Sequence, residues 1–339
     1  MNATSRQPRP GQDLSERALS EQALSEQALS EQALSEQALS KQDDAAPAGL
    51  NTDTERPVLA FAHANGFTGA CYKSLLAPLA EHFNLLPVDR LAHDPAYPVG
   101  NNLISLRDEW LACLDAALGP LPAAGGTGRK VIGVGHSLGG IVNYMAALKQ
   151  PERFHCLVLL DPPLMLGRDA LGMKVAKRFG FIDRVTPAGR TRGRRARWDS
   201  RQAMQDYLRR RSLFANFTPE ALDDYVDNAT HRHADGSLSL SFDTRHEVEI
   251  FRHLSDHLSG SPAKLAVPVR ILAGAQSDLL TPARQARLRR AGLTVEHVRG
   301  GHMYPFEYPQ ETRAALLAAI ADLAPPDVLP PGLLAGRQA

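Results

Sequence analysis

Residues 130–148 read KVIGVGHSLGGIVNYMAAL, and the serine near their centre sits in a setting suited to nucleophilic chemistry. A β-rich apolar run ends in Gly135-His136-Ser137-Leu138-Gly139, and a helical pattern begins at once. This is G-x-S-x-G in a strand–turn–helix context, which is where that pattern carries meaning. The reason is steric. A serine on a strained turn needs glycine two positions before and two after it, because backbone must pass close to backbone there. The turn lifts the Ser137 hydroxyl toward a cleft and sets it at a helix N-terminus, whose field favours developing negative charge.

The elements that must position Ser137 can be read from apolar periodicity. Short apolar runs at 58–63 (VLAFAH), 85–88, 131–135 (VIGVG), 157–160 (LVLL), 269–273 (VRILA) and 294–298 (TVEHV) read as six strands. Helical patterns lie between them at 72–82, 103–118, 138–149, 282–290 and 310–323. Such alternation predicts βαβ units, hence an α/β fold with a mostly parallel sheet flanked by helices. Residues 162–266 break the rhythm, offer no comparable strand run, and read as an inserted, mainly helical cap over the sheet's C-terminal edge, where open α/β sheets bind ligands. The core is therefore expected at 57–161 and 267–324, with a flexible tail at 325–339.

The first 56 residues differ in composition. Ser-Glu-Gln-Ala-Leu recurs from Ser15 to about Leu39. A five-residue period advances about 500° along a helix, so its leucines form no fixed stripe and no coiled-coil seam. A low-complexity arm, disordered or loosely helical and followed by a linker at 41–56, is the reading adopted; an oligomerisation or docking arm is the alternative.

From Pro57 to about Leu323, four-fifths of the chain, the sequence resembles the α/β-hydrolase superfamily. Within it, it resembles bacterial, esterase-like serine hydrolases whose first strand runs into A-x-A-N-G-F, here Ala62-His63-Ala64-Asn65-Gly66-Phe67. The resemblance implies a triad in the order Ser, Asp, His. Asp278, in Gly274-Ala275-Gln276-Ser277-Asp278 after the fifth run, matches the acid that orients the imidazole. An Asx-turn or helix N-cap is its structural alternative. Asp161, in LVLLDPP, also ends a strand and is the rival acid. His302, in a Gly-Gly-His loop after the last run, matches the base; imidazole titrates near neutrality and can take the Ser137 proton and return it to a leaving group. The resemblance further implies an oxyanion hole from the N–H groups of Leu138 and Phe67, with Gly66 allowing close approach. Members of the superfamily often begin with an antiparallel hairpin, for which 41–56 leave no room, so about six strands are expected rather than eight.

Bulk properties narrow the function class. The hydrophobic fraction is 43%, the charged fraction 22% and the formal net charge +1. This is a globular composition with no global field for nucleic acid or an anionic membrane. No apolar run is long enough to span a membrane, and the first residues lack a signal peptide's apolar stretch. Cys71, Cys113 and Cys156 are unpatterned, which favours reduced thiols in a cytoplasm. His136 reads as structural, His63 as part of the oxyanion loop, and His231, His233, His246, His253 and His257 have no metal-like spacing, so no metal or cofactor is expected. Residues 168–211 hold 14 Lys/Arg against 4 acids. An anionic substrate group or an acidic lipid surface would suit them, though a solvated helical face is the simpler reading. Interleaved apolar residues of the cap could line an acyl pocket, but most read as core. The expected activity is hydrolysis of a small to medium carboxylic ester through an acyl-enzyme. Thioester, lactone and C–C substrates and acyl transfer use the same groups, and a catalytically silent binding protein is the alternative of another class. A serine rather than an aspartate at the nucleophile position disfavours epoxide hydrolase and haloalkane dehalogenase chemistry.

Overall fold

A computed structural model of the chain describes residues 56–122 and 128–335; the Ser-Glu-Gln-Ala-Leu repeats lie outside the described residues. In chain order the strands are β1 (Val58–Ala62), β2 (Asn84–Pro87), β3 (Val131–His136), β4 (Phe154–Leu160), β5 (Arg197–Trp198), β6 (Thr230–Arg232), β7 (Leu238–Leu240), β8 (Val269–Gly274) and β9 (Thr294–Val298). Six of them form one sheet in the order β2-β1-β3-β4-β8-β9. All five pairings are parallel. The longer helices used below are α1 (Ile104–Leu118), α2 (Leu138–Lys149), α3 (Arg168–Arg178), α4 (Arg201–Arg209), α5 (Pro219–Asn228), α6 (Thr244–Arg252), α7 (Pro282–Arg290) and α8 (Pro309–Leu323).

Helices cover both faces of this sheet, which is why its central strands are apolar on both sides. Every residue of β1 and β3 is buried. In β1, Val58, Ala60 and Ala62 join one core with Trp110 of α1 and Ile141 of α2, whereas Leu59 and Phe61 join the other with Leu316 and Ile320 of α8. The edge strand β9 shows the opposite pattern, with only Val295 and Val298 buried. Six parallel strands flanked by helices match the expected architecture.

The insertion after β4, expected to be mainly helical, also carries short strands. It holds α3 to α6, but β5, β7 and β6 pair as a small antiparallel sheet. Strands of two or three residues are too short to show alternation in a sequence. The helix starts obey local capping chemistry: Ser200 and Thr218 accept N–H bonds from Ala203 and Ala221, and Asp243 accepts one from Arg245. The described part of the tail runs to residue 335. It forms a turn at Pro326–Val328 and a helix at Pro331–Ala335, because Leu329 buries itself in the second core. No helix of the described residues is long and apolar enough to cross a membrane.

Candidate active site

β3 ends at His136 and α2 starts at Leu138, so Ser137 makes the turn alone. Its φ of 52° and ψ of −111° are strained for a residue with a Cβ. Such strain costs about 1–3 kcal/mol and persists only where the surroundings impose it. Here they do. The Ser137 N–H donates to Leu160 O at 2.9 Å, and the Gly139 N–H donates to His63 O at 3.0 Å. A Cβ on Gly139 would fall on the Ala62 carbonyl, and one on Gly135 would fall on the Gly139 peptide. From one turn further along α2, Asn143 donates to the carbonyls of Val134 (3.0 Å) and Gly139 (3.1 Å) while accepting from Trp110 Nε1.

Opposite this turn lies the Arg299–His302 loop. His302 Nε2 is 3.0 Å from Ser137 Oγ, and His302 Nδ1 is 2.6 Å from Asp161 Oδ2. A carboxylate only accepts, so Nδ1 carries the proton and Nε2 presents its lone pair to the serine hydroxyl. The His302 side chain is 29% exposed and that of Asp161 0%, so the imidazole reaches the surface while the carboxylate is sealed beneath it. Asp161 sits just past the end of β4 with φ of 43°, which turns its carboxylate across the sheet top. Its remaining lone pairs accept from Gly274 N–H at 3.1 Å and Ser277 Oγ–H at 2.5 Å. The loop is held by Gly301 N–H donating to Glu307 Oε2 (3.0 Å) and Tyr304 Oη–H donating to Leu272 O (2.9 Å).

This geometry brings Asp161, the rival candidate, and not Asp278 against His302. In the turn after β8 it is Ser277 that faces inward and bonds Asp161. The next residue, Asp278, is exposed, and among the described residues no hydrogen bond joins it to His302. Strand ends are legible in a sequence, but which of two adjacent turn residues faces the cleft is not.

A second polar chain lies behind the first, and the sequence showed only one member of it. His136 is fully buried. Its Nε2 is 2.9 Å from the His302 carbonyl, so Nε2 is the protonated nitrogen. Nδ1 is then an acceptor for Tyr72 Oη–H at 2.7 Å, and Tyr72 Oη in turn accepts the Ala64 N–H at 3.1 Å. Burial holds the His136 pKa well below the usual imidazole value, and the neighbouring His302 pushes it the same way. A neutral ring thus ties the loop after β1, the serine strand and the His302 backbone together. The available signal was a histidine within a strand buried throughout, which must have partners.

The loop after β1 completes the surroundings. Leu138 stands at the first position of α2, where an N–H has no carbonyl within the helix to bond. The Phe67 N–H bonds Ala64 O at 3.2 Å, at the long end for such a bond, so a role toward a ligand oxygen requires sharing or shifting it. Gly66 has φ of 79°, and a Cβ there would meet Glu247 and Arg194 of the cap. That pair, at 2.6 Å, is mostly buried. Arg194 also donates to Tyr225 Oη (2.5 Å), and Tyr225 Oη–H donates to Gly66 O (3.4 Å). Asn65 Nδ2 donates to Glu247 O at 3.0 Å. The cap therefore grips the loop through named polar contacts. A narrow cleft opens between them, lined by Asn65, Gly66, Phe67, Leu138, His63, Leu91, His93, Phe242, His246, Glu247 and Ile250. Burial lowers the pKa of both His63 and His93 to about 4, so two rings of its wall are neutral near pH 7. Among the described residues no group of three or more His, Cys, Asp or Glu is placed to hold a metal ion.

The profile of a family described as "Alpha/beta hydrolase family" matches residues 59–315. No curated protein sequence matches the chain. Solved structures do match in fold. E-2-(acetamidomethylene)succinate hydrolase aligns with TM-score 0.62 at 23% identity, over 78% of this chain and 91% of its own. The thioesterase domain of a curacin biosynthetic pathway aligns with TM-score 0.55 at 18% identity, over 78% and 91%. An esterase of M. tuberculosis aligns with TM-score 0.54 at 19% identity, over 78% and 86%.

Proposed function

The chain belongs to the alpha/beta hydrolase family, and from that premise we propose that it is a serine hydrolase cleaving a carboxylic ester through an acyl-enzyme. The observation that carries this reading is the continuous hydrogen-bonded line from Ser137 Oγ through His302 to the buried Asp161 carboxylate. In the proposed reaction Ser137 Oγ attacks the ester carbonyl carbon as His302 Nε2 takes its proton. Asp161 keeps the imidazole in the Nδ1–H tautomer and stabilises the imidazolium. The carbonyl oxygen, now negative, is met by the Leu138 N–H, with Phe67 N–H as second donor. Each such donor lowers the barrier by roughly 3–4 kcal/mol. His302 returns its proton to the leaving alcohol, then activates water against the acyl-enzyme in the mirror-image half reaction.

The same constellation acts on thioesters and lactones, so the test is a panel of p-nitrophenyl esters, acyl thioesters and lactones of increasing acyl length. The reading expects ester turnover by wild type and none by Ser137→Ala. Turnover confined to thioesters or lactones would replace the ester assignment, and no turnover of any of them would favour a binding protein on this fold. The substrate in this reading is a small acyl compound. Cys71, Cys113 and Cys156 are free thiols, two of them buried, which suits a reducing compartment such as the cytoplasm.

A further inference from the structure

The cap carries an exposed face that acyl transfer does not use. Among the described residues five large apolar side chains stand exposed, and four fall within one short stretch: Leu171 (62%), Val175 (39%), Phe179 (72%) and Val185 (56%). That clustering separates them from the scattered surface apolar residues of any protein. Leu171, Val175 and Phe179 are spaced by four, so they form one stripe along α3 and its C-terminal end. The opposite face, with Ala170, Met173 and Ala176, is buried.

The charges beside the stripe have one sign. Arg168, Lys174, Arg178 and Arg184 are all exposed, and none has an ion-pair partner among the described residues. The two acids of this stretch are already matched: Asp169 by Arg287 and Arg284, and Asp183 by Arg192 and Arg252. Further along, Arg194, Arg197 and Arg201 are also paired, with Glu247, Asp235, Asp223 and Asp227. Arg190, Arg195, Arg209, Arg210 and Arg211 also lack an ion-pair partner among the described residues, but Arg168, Lys174 and Arg178 are the unpaired cations carried by α3 itself, beside the apolar stripe.

We propose that the exposed face of α3 docks this protein peripherally on an anionic lipid surface, with the apolar stripe entering the headgroup boundary. An apolar stripe flanked by Lys and Arg, with the one acid of the helix, Asp169, already paired, is the pattern of a helix lying in a membrane interface. Charge decides the occupant. A second copy packed face to face would bring Arg168, Lys174, Arg178 and Arg184 against their own mates. Anionic headgroups instead complement them, each Lys or Arg strengthening binding by roughly fivefold. The inference is independent of the ester chemistry, and its readout does not use activity.

The test is flotation of the full chain with vesicles of phosphatidylcholine alone or with phosphatidylserine added. The proposal expects binding to the mixed vesicles, at least about tenfold weaker without phosphatidylserine and screened away at high salt. Leu171→Ser with Phe179→Ser, and separately Lys174→Glu with Arg178→Glu, each weaken it by at least about tenfold. Because these side chains are exposed and distant in sequence from Ser137 and His302, the variants keep the wild-type unfolding midpoint and the wild-type rate on a water-soluble ester. Absence of flotation with the mixed vesicles overturns the proposal. So does flotation that both pairs of substitutions leave unchanged, or a wild-type dimer in sedimentation equilibrium that Leu171→Ser with Phe179→Ser splits.

Discussion

Replacing Asp161 by asparagine exchanges one carboxylate oxygen for an amide in a site where the acceptors are already assigned. Oδ1 accepts from the Gly274 N–H, while Oδ2 accepts from Ser277 and from His302 Nδ1. An amide nitrogen at Oδ1 would face the Gly274 N–H, leaving two buried donors opposed at a cost of about 1–3 kcal/mol. The amide oxygen therefore takes the Oδ1 position and the NH2 group takes Oδ2. His302 can then meet that NH2 only by presenting Nδ1 as an acceptor, which moves its proton to Nε2, against Ser137. The base is lost in that tautomer. The imidazolium also loses a countercharge, worth about 4 kcal/mol at a separation near 4 Å and an effective dielectric of about 20. Adding about 1–2 kcal/mol for the wrong tautomer gives 5–6 kcal/mol, or a fall of about 10⁴ in kcat. Asp278→Asn, on an exposed residue, changes kcat by no more than about twofold. Steady-state hydrolysis of a p-nitrophenyl ester reads both. Retention of more than a tenth of wild-type kcat by Asp161→Asn, or a larger loss in Asp278→Asn, would refute the reasoning.

Two further outcomes follow from the buried histidines. His136→Phe removes the donor to the His302 carbonyl and the acceptor for Tyr72, so kcat falls by about tenfold to a hundredfold through misplacement of His302, while KM for a small ester stays near wild type; an unchanged kcat would show that this chain positions nothing. His63 and His93 stay neutral down to about pH 4, against 6.5 unfolded, and His136 is shifted the same way. Their stabilisation is complete above pH 6.5 and is lost as pH falls through the window below it. Glu109, raised by burial from 4.5 to about 7, acts in the opposite sense, its contribution being lost as pH rises from 4.5 to 7. His155 and His257 are lowered by burial as well and Glu247 is raised, so histidines held neutral outnumber acids held protonated and unfolding takes up protons as pH falls below 6.5. Urea midpoints should fall across that window, and a flat profile down to pH 5 would contradict the assignment.

Much of the fold was legible because its strands are buried on both faces. The segments 58–62, 131–136 and 269–274 are apolar runs between helical patterns, and the edge strand Thr294–Val298 was read with its observed bounds. Ser137 was legible because its turn demands glycine at 135 and 139, a requirement written into residue types. The acid was not. Asp161 and Asp278 both follow strands, and the choice between them rests on the 43° φ of Asp161 and on Ser277 taking the inward position. Neither leaves a trace in one sequence. The small cap sheet was hidden by strands too short to alternate, and the order at Leu329 depends on a tertiary contact. The relay through Tyr72, His136 and the His302 backbone spans segments more than 150 residues apart, from 64 to 302, which no local pattern reveals.

The central claim is that Ser137 is a nucleophile activated by His302. It is tested most directly by reacting the full chain with a fluorophosphonate probe and mapping the adduct by peptide mass spectrometry. The account predicts one adduct per chain, on the peptide containing Ser137, absent in Ser137→Ala and slowed by several orders of magnitude in His302→Ala. An unlabelled wild type, or a Ser137→Ala variant labelled at the wild-type rate, would contradict it.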